Sequence, residues 1–385
     1  MRVCFLFNHY ATHQVAHAAP FAFELSRRHE NAEVTVACTS DAQCEAAARI
    51  ATLYAGHRVE FVRLEIPWFE RYVASAVGRL TFFGKRRILS RNREFFRAFD
   101  AVVSPERTVL QLRTRFGLDR LIIINTRHGQ GDRLGSFDEL ALEVDLTLFA
   151  GRKYVDLFEE RGLLRKGAYA IVGYPKFEVY GPSSRQAWFP NRKPVVLYNP
   201  HFDATESSWQ KQGRAALDWF AAQTEYNLIL APHTLLFERS VRHGARLPRR
   251  FREIEHIRID LGSEASNDMT YTRGADIYLG DASSQVYEFI AEPRPCVFID
   301  AQNARSRSPA RYRHWHFGPV ITRASELGPA LRAARDGFAG YAVEQREAFE
   351  YTFSFDRERS AAQRGADAIA EFLQRGRIES ECFLR

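Results

Sequence analysis

The stretch Ala275–Pro295, ADIYLGDASSQVYEFIAEPRP, decides how the chain is read. Ile277, Tyr278 and Leu279 form an apolar run of a length that suits a buried strand. Gly280 and Asp281 then turn the chain, and Val286, Phe289 and Ile290 recur at the spacing of one helical face. Ser283 and Ser284 fall at the expected N-cap and first turn. A helix starting there aims unpaired N–H groups and its positive dipole end beyond the carboxyl end of the strand. Two hydroxyls add donors at the same spot, which suits a phosphate. An ordinary serine-capped helix has the same pattern. Glu288, one turn on, is placed for a ribose hydroxyl or for a neighbouring arginine.

Working outward, the same alternation of strand and helix recurs on both sides. Val3–Phe7 reads as a strand, Asn8–His13 as a polar loop, Gln14–Arg28 as a helix and Val34–Ala37 as a second strand. This is the opening of a doubly wound α/β domain, in which ligands lie outside the carboxyl ends of the strands. Asn8, His9, His13 and His17 therefore border an expected crevice, although histidines are more often structural. Asp100–Ser104, Leu121–Asn125, Leu146–Ala150 and Ala168–Val172 read as further strands. The second of these, Leu121–Asn125, runs into TRHGQGD (Thr126–Asp132), whose glycines permit close backbone approach around His128. Residues 181–193, rich in Gly, Pro, Ser and Arg, read as a linker. Pro194–Tyr198, Asn227–Ala231, Ile257–Ile259 and Cys296–Ile299 supply the strands of a second half. The expectation is two domains, 1–180 and 194–375, with polar strand ends facing a shared cleft and 376–385 as a disordered tail.

At 385 residues, two cores are the natural prior. With 45% hydrophobic and 26% charged residues, the composition is that of a globular protein, and a net charge of +7 favours anionic partners. The five cysteines show no CxxC or metal-ligand spacing and read as a reduced set. No signal-peptide pattern opens the chain and no run approaches a membrane span, so the expected location is cytoplasmic. From Trp68 to Phe99 basic and aromatic residues alternate. Through 71–97 this segment could lie on an anionic membrane surface, peripherally at the inner face of the cell membrane, or form an amphipathic helical pair over a core. Dispersed basic residues and the lack of a stacking-platform motif argue against nucleic acid.

Five motifs stand in order: RHGQGD (Arg127–Asp132), GYPKF (Gly173–Phe177), YNPHFD (Tyr198–Asp203), APHT (Ala231–Thr234) and GDASSQVYEFIAEPRP. The series resembles the CDP-glycerol glycerophosphotransferase family, the polymerases and primases of teichoic-acid synthesis. The resemblance implies an α/β, GT-B-like fold of two Rossmann-like domains facing a central cleft, with acceptor bound to the N-terminal and donor to the C-terminal domain. It implies transfer of glycerol phosphate from CDP-glycerol to a hydroxyl of a cell-envelope glycan or lipid-linked acceptor. By motif position, His128 is the implied base and His233 lies at the pyrophosphate. Ser283 and Ser284 are the implied phosphate-binding hydroxyls, with Asp281, Tyr198, Pro232 and Glu288 on the donor side. His13, Arg127, Gly129 and Asp132 are placed on the acceptor side. The chain departs from the family at Gln130, Gly131 and Asp132, at Ala231 and Thr234, and at Asn199 and His201.

A neutral histidine suits the removal of a proton from an attacking hydroxyl, and fixed donors suit the charge gathering on a departing nucleotide. Asp132 is placed to orient His128. Asp276 and Asp281 flank a strand without forming a Mg²⁺-type acidic cluster, so neither metal nor cofactor is expected beyond the nucleotide-activated donor. His314 and His316 match no motif. Two further readings share these residues: a GT-B glycosyltransferase using a CMP- or NDP-activated sugar, and a non-catalytic binder of an acidic glycan.

Overall fold

The computed structural model describes residues 1–8, 12–65, 67, 83–132, 138–181, 188–238, 247–303 and 312–384. Its chain divides into two units. The first takes Met1–His128, Phe137–Gly181 and Tyr351–Arg385; the second takes Gly129–Ser136 and Pro182–Glu350.

In the first unit β1 (Arg2–Phe7), β2 (Glu33–Cys38), β3 (Glu60–Arg63), β4 (Ala101–Ser104), β5 (Ile122–Asn125), β6 (Leu146–Phe149) and β7 (Tyr169–Ile171) form one sheet. Its order is β3-β2-β1-β4-β5-β6-β7, and every pair is parallel. Parallel strands covered by helices on both faces carry near-continuous apolar runs, and RVCFLF is buried at every position after Arg2. The order reverses between β1 and β4, so the place for a ligand lies beyond the ends of these two strands.

The second unit repeats the design with β8 (Val195–Asn199), β9 (Asn227–Leu230), β10 (Ile257–Ile259), β11 (Ile277–Gly280), β12 (Cys296–Ile299) and β13 (Val320–Ile321). Its parallel order is β10-β9-β8-β11-β12-β13. The switch point falls between β8 and β11, which pair from Ile277 opposite Val196 to Gly280 opposite Asn199. Val196, Tyr198, Leu228, Leu279 and Val297 anchor its core.

Several expectations change. The first helix begins as a 3₁₀ turn, Thr12–His17, and becomes α-helical only at Ala19–Arg28, where Pro20 occupies the first turn. The chain does not end in the second half. Helix Ala361–Arg375, opened by a Ser360–Gln363 capping box, packs on helix Ala19–Arg28 of the first unit. There Asp367 accepts two hydrogen bonds from Arg28, at 2.9 and 2.8 Å. Residues after Gly376 are not a loose tail: Ile378 and Phe383 are buried, and Glu381–Phe383 forms a 3₁₀ turn. Of the expected linker, residues 182–187 lie outside the described residues. Phe189 is buried, and Asn191 and Asn227 exchange hydrogen bonds within the second unit.

Residues 68–82 of the basic aromatic segment also lie outside the described residues. The rest forms helices Phe83–Arg91 and Arg93–Arg97, with Leu89 and Phe96 fully buried against Cys4, Leu6 and Val102. No described helix is long and apolar enough to cross a membrane.

Candidate functional site

Beside the switch point of the first sheet, His128 follows β5, the neighbour of β4, and is exposed. Its Nδ1 lies 3.2 Å from the carbonyl oxygen of Pro105. A carbonyl only accepts, so Nδ1 carries the hydrogen and the neutral ring keeps its lone pair on Nε2. Loss of water from its enclosed edge lowers the His128 pKa, and Arg127 and Lys85 push the same way, while Glu106 and the Pro105 carbonyl oppose them. Solvent at the exposed edge limits the size of that effect, but its direction favours the neutral ring. The rings of His13 and His17 lie edge-on to it, at 6.2 and 6.5 Å. Burial, with Lys176 and His128 nearby, pushes His17 well below the usual histidine range.

Beneath these histidines is a polar layer. The Lys85 ammonium is 2.8 Å from Glu106 Oε2, Gln14 Nε2 donates to Glu106 Oε1 at 2.9 Å, and the Asn8 amide donates to the Lys85 carbonyl. Lys85 is 3% exposed, so its charge depends on that partner. Glu106 and Gln14 had no signal in the sequence beyond their position after β4 and before the first helix. His9 lies outside the described residues.

Arg127, expected on the acceptor side, packs within the first unit. Its backbone is left-handed (φ 55°), and its buried guanidinium stacks over Tyr154 and Phe158, at 4.7 and 4.9 Å from the ring centroids.

In the second unit, the segments after β8 and β9 share one local structure. Each places a histidine after a proline, and each histidine Nδ1 accepts a backbone N–H from two residues on: Asp203 to His201 at 3.1 Å, and Leu235 to His233 at 3.2 Å. A neutral ring whose Nδ1 accepts in this way carries its hydrogen on Nε2. The rings lie 5.3 Å apart, with Phe202 against both. His201 was not among the expected site residues; the Pro-His step after each of two adjacent strands was its signal. Pro232 is buried and fixes the start of the second loop.

Asp281 is not open to a ligand. It is fully buried and accepts three hydrogen bonds, from the His201 N–H at 2.8 Å and from the Ser208 N–H and hydroxyl at 2.6 and 2.8 Å. It ties the loop after β8 to the turn after β11. Burial outweighs those donors and raises its pKa to about 6. Tyr198 is likewise internal: it faces the core, and its hydroxyl meets Ser208 Oγ at 2.8 Å.

The serine turn also differs from a plain cap. The helix after it has only five residues, Gln285–Phe289. Ser283 is buried and its oxygen accepts the Gln285 N–H at 3.3 Å. Ser284 occupies the N-cap place with helical backbone angles and makes no side-chain capping bond. Glu288 is buried.

The RHGQGD loop supplies the last part. A Cβ on Gly131 would lie 3.0 Å from Ser284 Cβ and 3.1 Å from its Cα, so this loop packs directly on the serine turn. Gly129, with φ 67°, lies nearby in the same loop. Asp132 does not orient His128. Its buried carboxylate accepts the Tyr287 hydroxyl at 2.6 Å and His314 Nδ1 at 2.8 Å. Among the described residues no group of three or more His, Cys, Asp or Glu side chains is placed to hold a metal ion.

Two Rossmann-like units built this way make the chain GT-B-like. The sequence matches no protein-family profile and no curated protein. Among solved structures it is similar to the wall teichoic acid polymerase TagF, at 15% identity over 97% of this chain and 89% of that one, with a TM-score of 0.60. A TagF variant soaked with CDPG is also similar, with a TM-score of 0.56. The fold is shared more widely. A putative UDP-N-acetylglucosamine 2-epimerase from Listeria monocytogenes matches at 11% identity over 97% of this chain and 95% of that one, with a TM-score of 0.60. The calicheamicin glycosyltransferase CalG4 matches at 16% identity over 97% and 98%, with a TM-score of 0.54.

Proposed function

We propose that this protein is a cell-envelope transferase of the CDP-glycerol glycerophosphotransferase type, moving glycerol phosphate or a related group from a CDP-activated donor to an acceptor hydroxyl. The observation that carries the reading is the paired Pro-His loops beside the serine turn at the switch point of the second sheet. In His201 and His233 Nδ1 accepts a backbone N–H, which puts the hydrogen of a neutral ring on Nε2, and the Ser284 hydroxyl is not used as a cap. Hydrogen-bond donors gathered at strand ends suit the phosphates of a nucleotide donor, and they stabilise the charge that the leaving nucleotide gains. The TagF likeness and the five ordered motifs support the same donor class.

In the proposed reaction His128 Nε2 takes the proton from the attacking hydroxyl. Its Nδ1–H bond to Pro105 holds the ring in the tautomer that this needs. The Lys85–Glu106–Gln14 layer and His13 belong to the acceptor side in this reading. Asp281 and Tyr198 act by shaping the donor loops rather than by touching the donor. The acceptor is a glycan or lipid-linked hydroxyl, reached from the cytoplasm at the membrane surface.

A calorimetric panel of CMP, CDP, CDP-glycerol, UDP, GDP and CMP-linked sugars tests this. Selective binding of the cytidine set with preference for CDP-glycerol is expected. Preference for UDP or GDP would move the protein to the sugar-transferring GT-B enzymes, and binding of none would end the transferase reading.

A further inference from the structure

The Asp132–His314 pair has no part in the chemistry above and is built like a working site. His314 is 2% exposed and Asp132 6%. The pair is separated by 182 positions in the chain, yet Asp132 Oδ2 meets both the Nδ1 and the backbone N–H of His314, at 2.8 and 3.2 Å. Its other oxygen receives the Tyr287 hydroxyl at 2.6 Å. A carboxylate accepts from Nδ1–H, so in the neutral ring the Nε2 atom carries the lone pair.

That Nε2 is buried and has no hydrogen-bond partner among the described residues. The ring itself is fixed by packing against Phe298 of β12, at 5.2 Å, and against Tyr312 and Trp315. A buried polar atom without a partner is costly, and native structures tolerate it chiefly where a ligand, an ion or water completes it. Gly131 and Ser284, packed together beside Asp132, are both partly exposed.

We propose that His314 is a donor-binding residue whose Nε2 accepts a hydrogen bond from a hydroxyl of the nucleotide-activated donor, and that Asp132 is its positioning residue. This rests on the transferase reading above. The hydroxyl belongs either to the ribose or to the transferred polyol. Both offer the O–H that a fixed lone pair needs, whereas a phosphate oxygen does not. Tyr287 steadies Asp132, linking the recognition of that hydroxyl to the helix that follows the serine turn.

Two substitutions separate recognition from packing. His314→Asn places an amide N–H where Nδ1 sits, keeping the Asp132 bond, and leaves nothing at Nε2. His314→Gln reaches the Nε2 place with an amide oxygen and gives up the Asp132 bond. Affinities of CDP, 2′-deoxy-CDP and CDP-glycerol are measured by calorimetry for the wild type and both variants, with thermal melting as the check on folding. If the wild type prefers uridine, the corresponding uridine ligands are used.

The expectation is that His314→Asn melts near the wild type but loses at least tenfold in affinity, and that His314→Gln recovers part of the loss. A loss for CDP but not for 2′-deoxy-CDP assigns the ribose hydroxyl, and a loss confined to CDP-glycerol assigns the polyol. Unchanged affinities in a folded His314→Asn protein would overturn the proposal. So would the reverse order, with His314→Asn near native and His314→Gln impaired, because that is the pattern of a packing role. Failure of the wild type to bind any nucleotide would overturn the transferase reading itself and this inference with it.

Discussion

Replacing Asp281 with asparagine makes a quantitative test of the donor loops. The carboxylate is fully buried and accepts from the His201 N–H, the Ser208 N–H and the Ser208 hydroxyl. Its pKa rises from 3.8 to about 6 because burial penalises the charge more than three donors reward it. Between those values the folded protein binds the proton that the unfolded chain has released. Stability therefore falls as pH rises from about 4 to about 6 and levels off above, with a total change on the order of 3 kcal/mol. Asparagine has no such slope. At neutral pH it keeps one accepting oxygen but turns an amide NH₂ toward a donor it cannot satisfy, for a net loss of about 1–3 kcal/mol. Urea unfolding of both proteins at pH 5, 6, 7 and 8 reads the difference directly. The gap between the curves is expected to widen toward pH 5, where the wild type regains its proton-linked stability. Parallel curves across this range would refute the argument that Asp281 is a buried, proton-linked latch.

Three further substitutions probe single contacts. Tyr198→Phe removes the hydroxyl bond to Ser208 and should cost about 1 kcal/mol in unfolding while leaving nucleotide affinity unchanged, as measured by calorimetry. Gly131→Ala puts a methyl 3.0–3.4 Å from Ser284 atoms, so the serine turn must give way by a few tenths of an ångström. Nucleotide affinity should fall severalfold with little change in melting temperature. Gly365→Ala would bring a methyl within 2.2 Å of the Phe21 ring and should destabilise the first unit by about 1–3 kcal/mol in urea unfolding.

Much of the fold is legible because strands buried on both faces appear as unbroken apolar runs: CVFI, VVLYN and IYLG are each visible without a structure. The helices are less so. Pro20 delays the first one, and nothing in the pattern of Ala361–Arg375 says which sheet it covers. Its partner is Phe21, more than three hundred residues earlier. The candidate site divides the same way. The Pro-His steps after β8 and β9 and the serine turn are local, and a sequence carries local signals. The stacking of Arg127 is not legible, because the rings it meets, Tyr154 and Phe158, are distant in sequence and lie on a helix after β6. Asp132 was assigned to its neighbour His128, whereas its carboxylate meets His314 and Tyr287. Tyr198 sits in a recognisable motif, but only its core-facing position reveals that its hydroxyl holds Ser208 instead of a ligand.

The most direct test of the central claim is the rate of CMP release from CDP-glycerol with a hydroxyl-bearing envelope acceptor, for the wild type and for His128→Asn. Asparagine can keep the bond to the Pro105 carbonyl but has no base where Nε2 stands. The account predicts acceptor-dependent CMP release by the wild type and a fall of about 10²–10⁴-fold in the variant, with CDP-glycerol affinity unchanged. Full turnover by a folded His128→Asn protein, or no CMP release by the wild type, would contradict it.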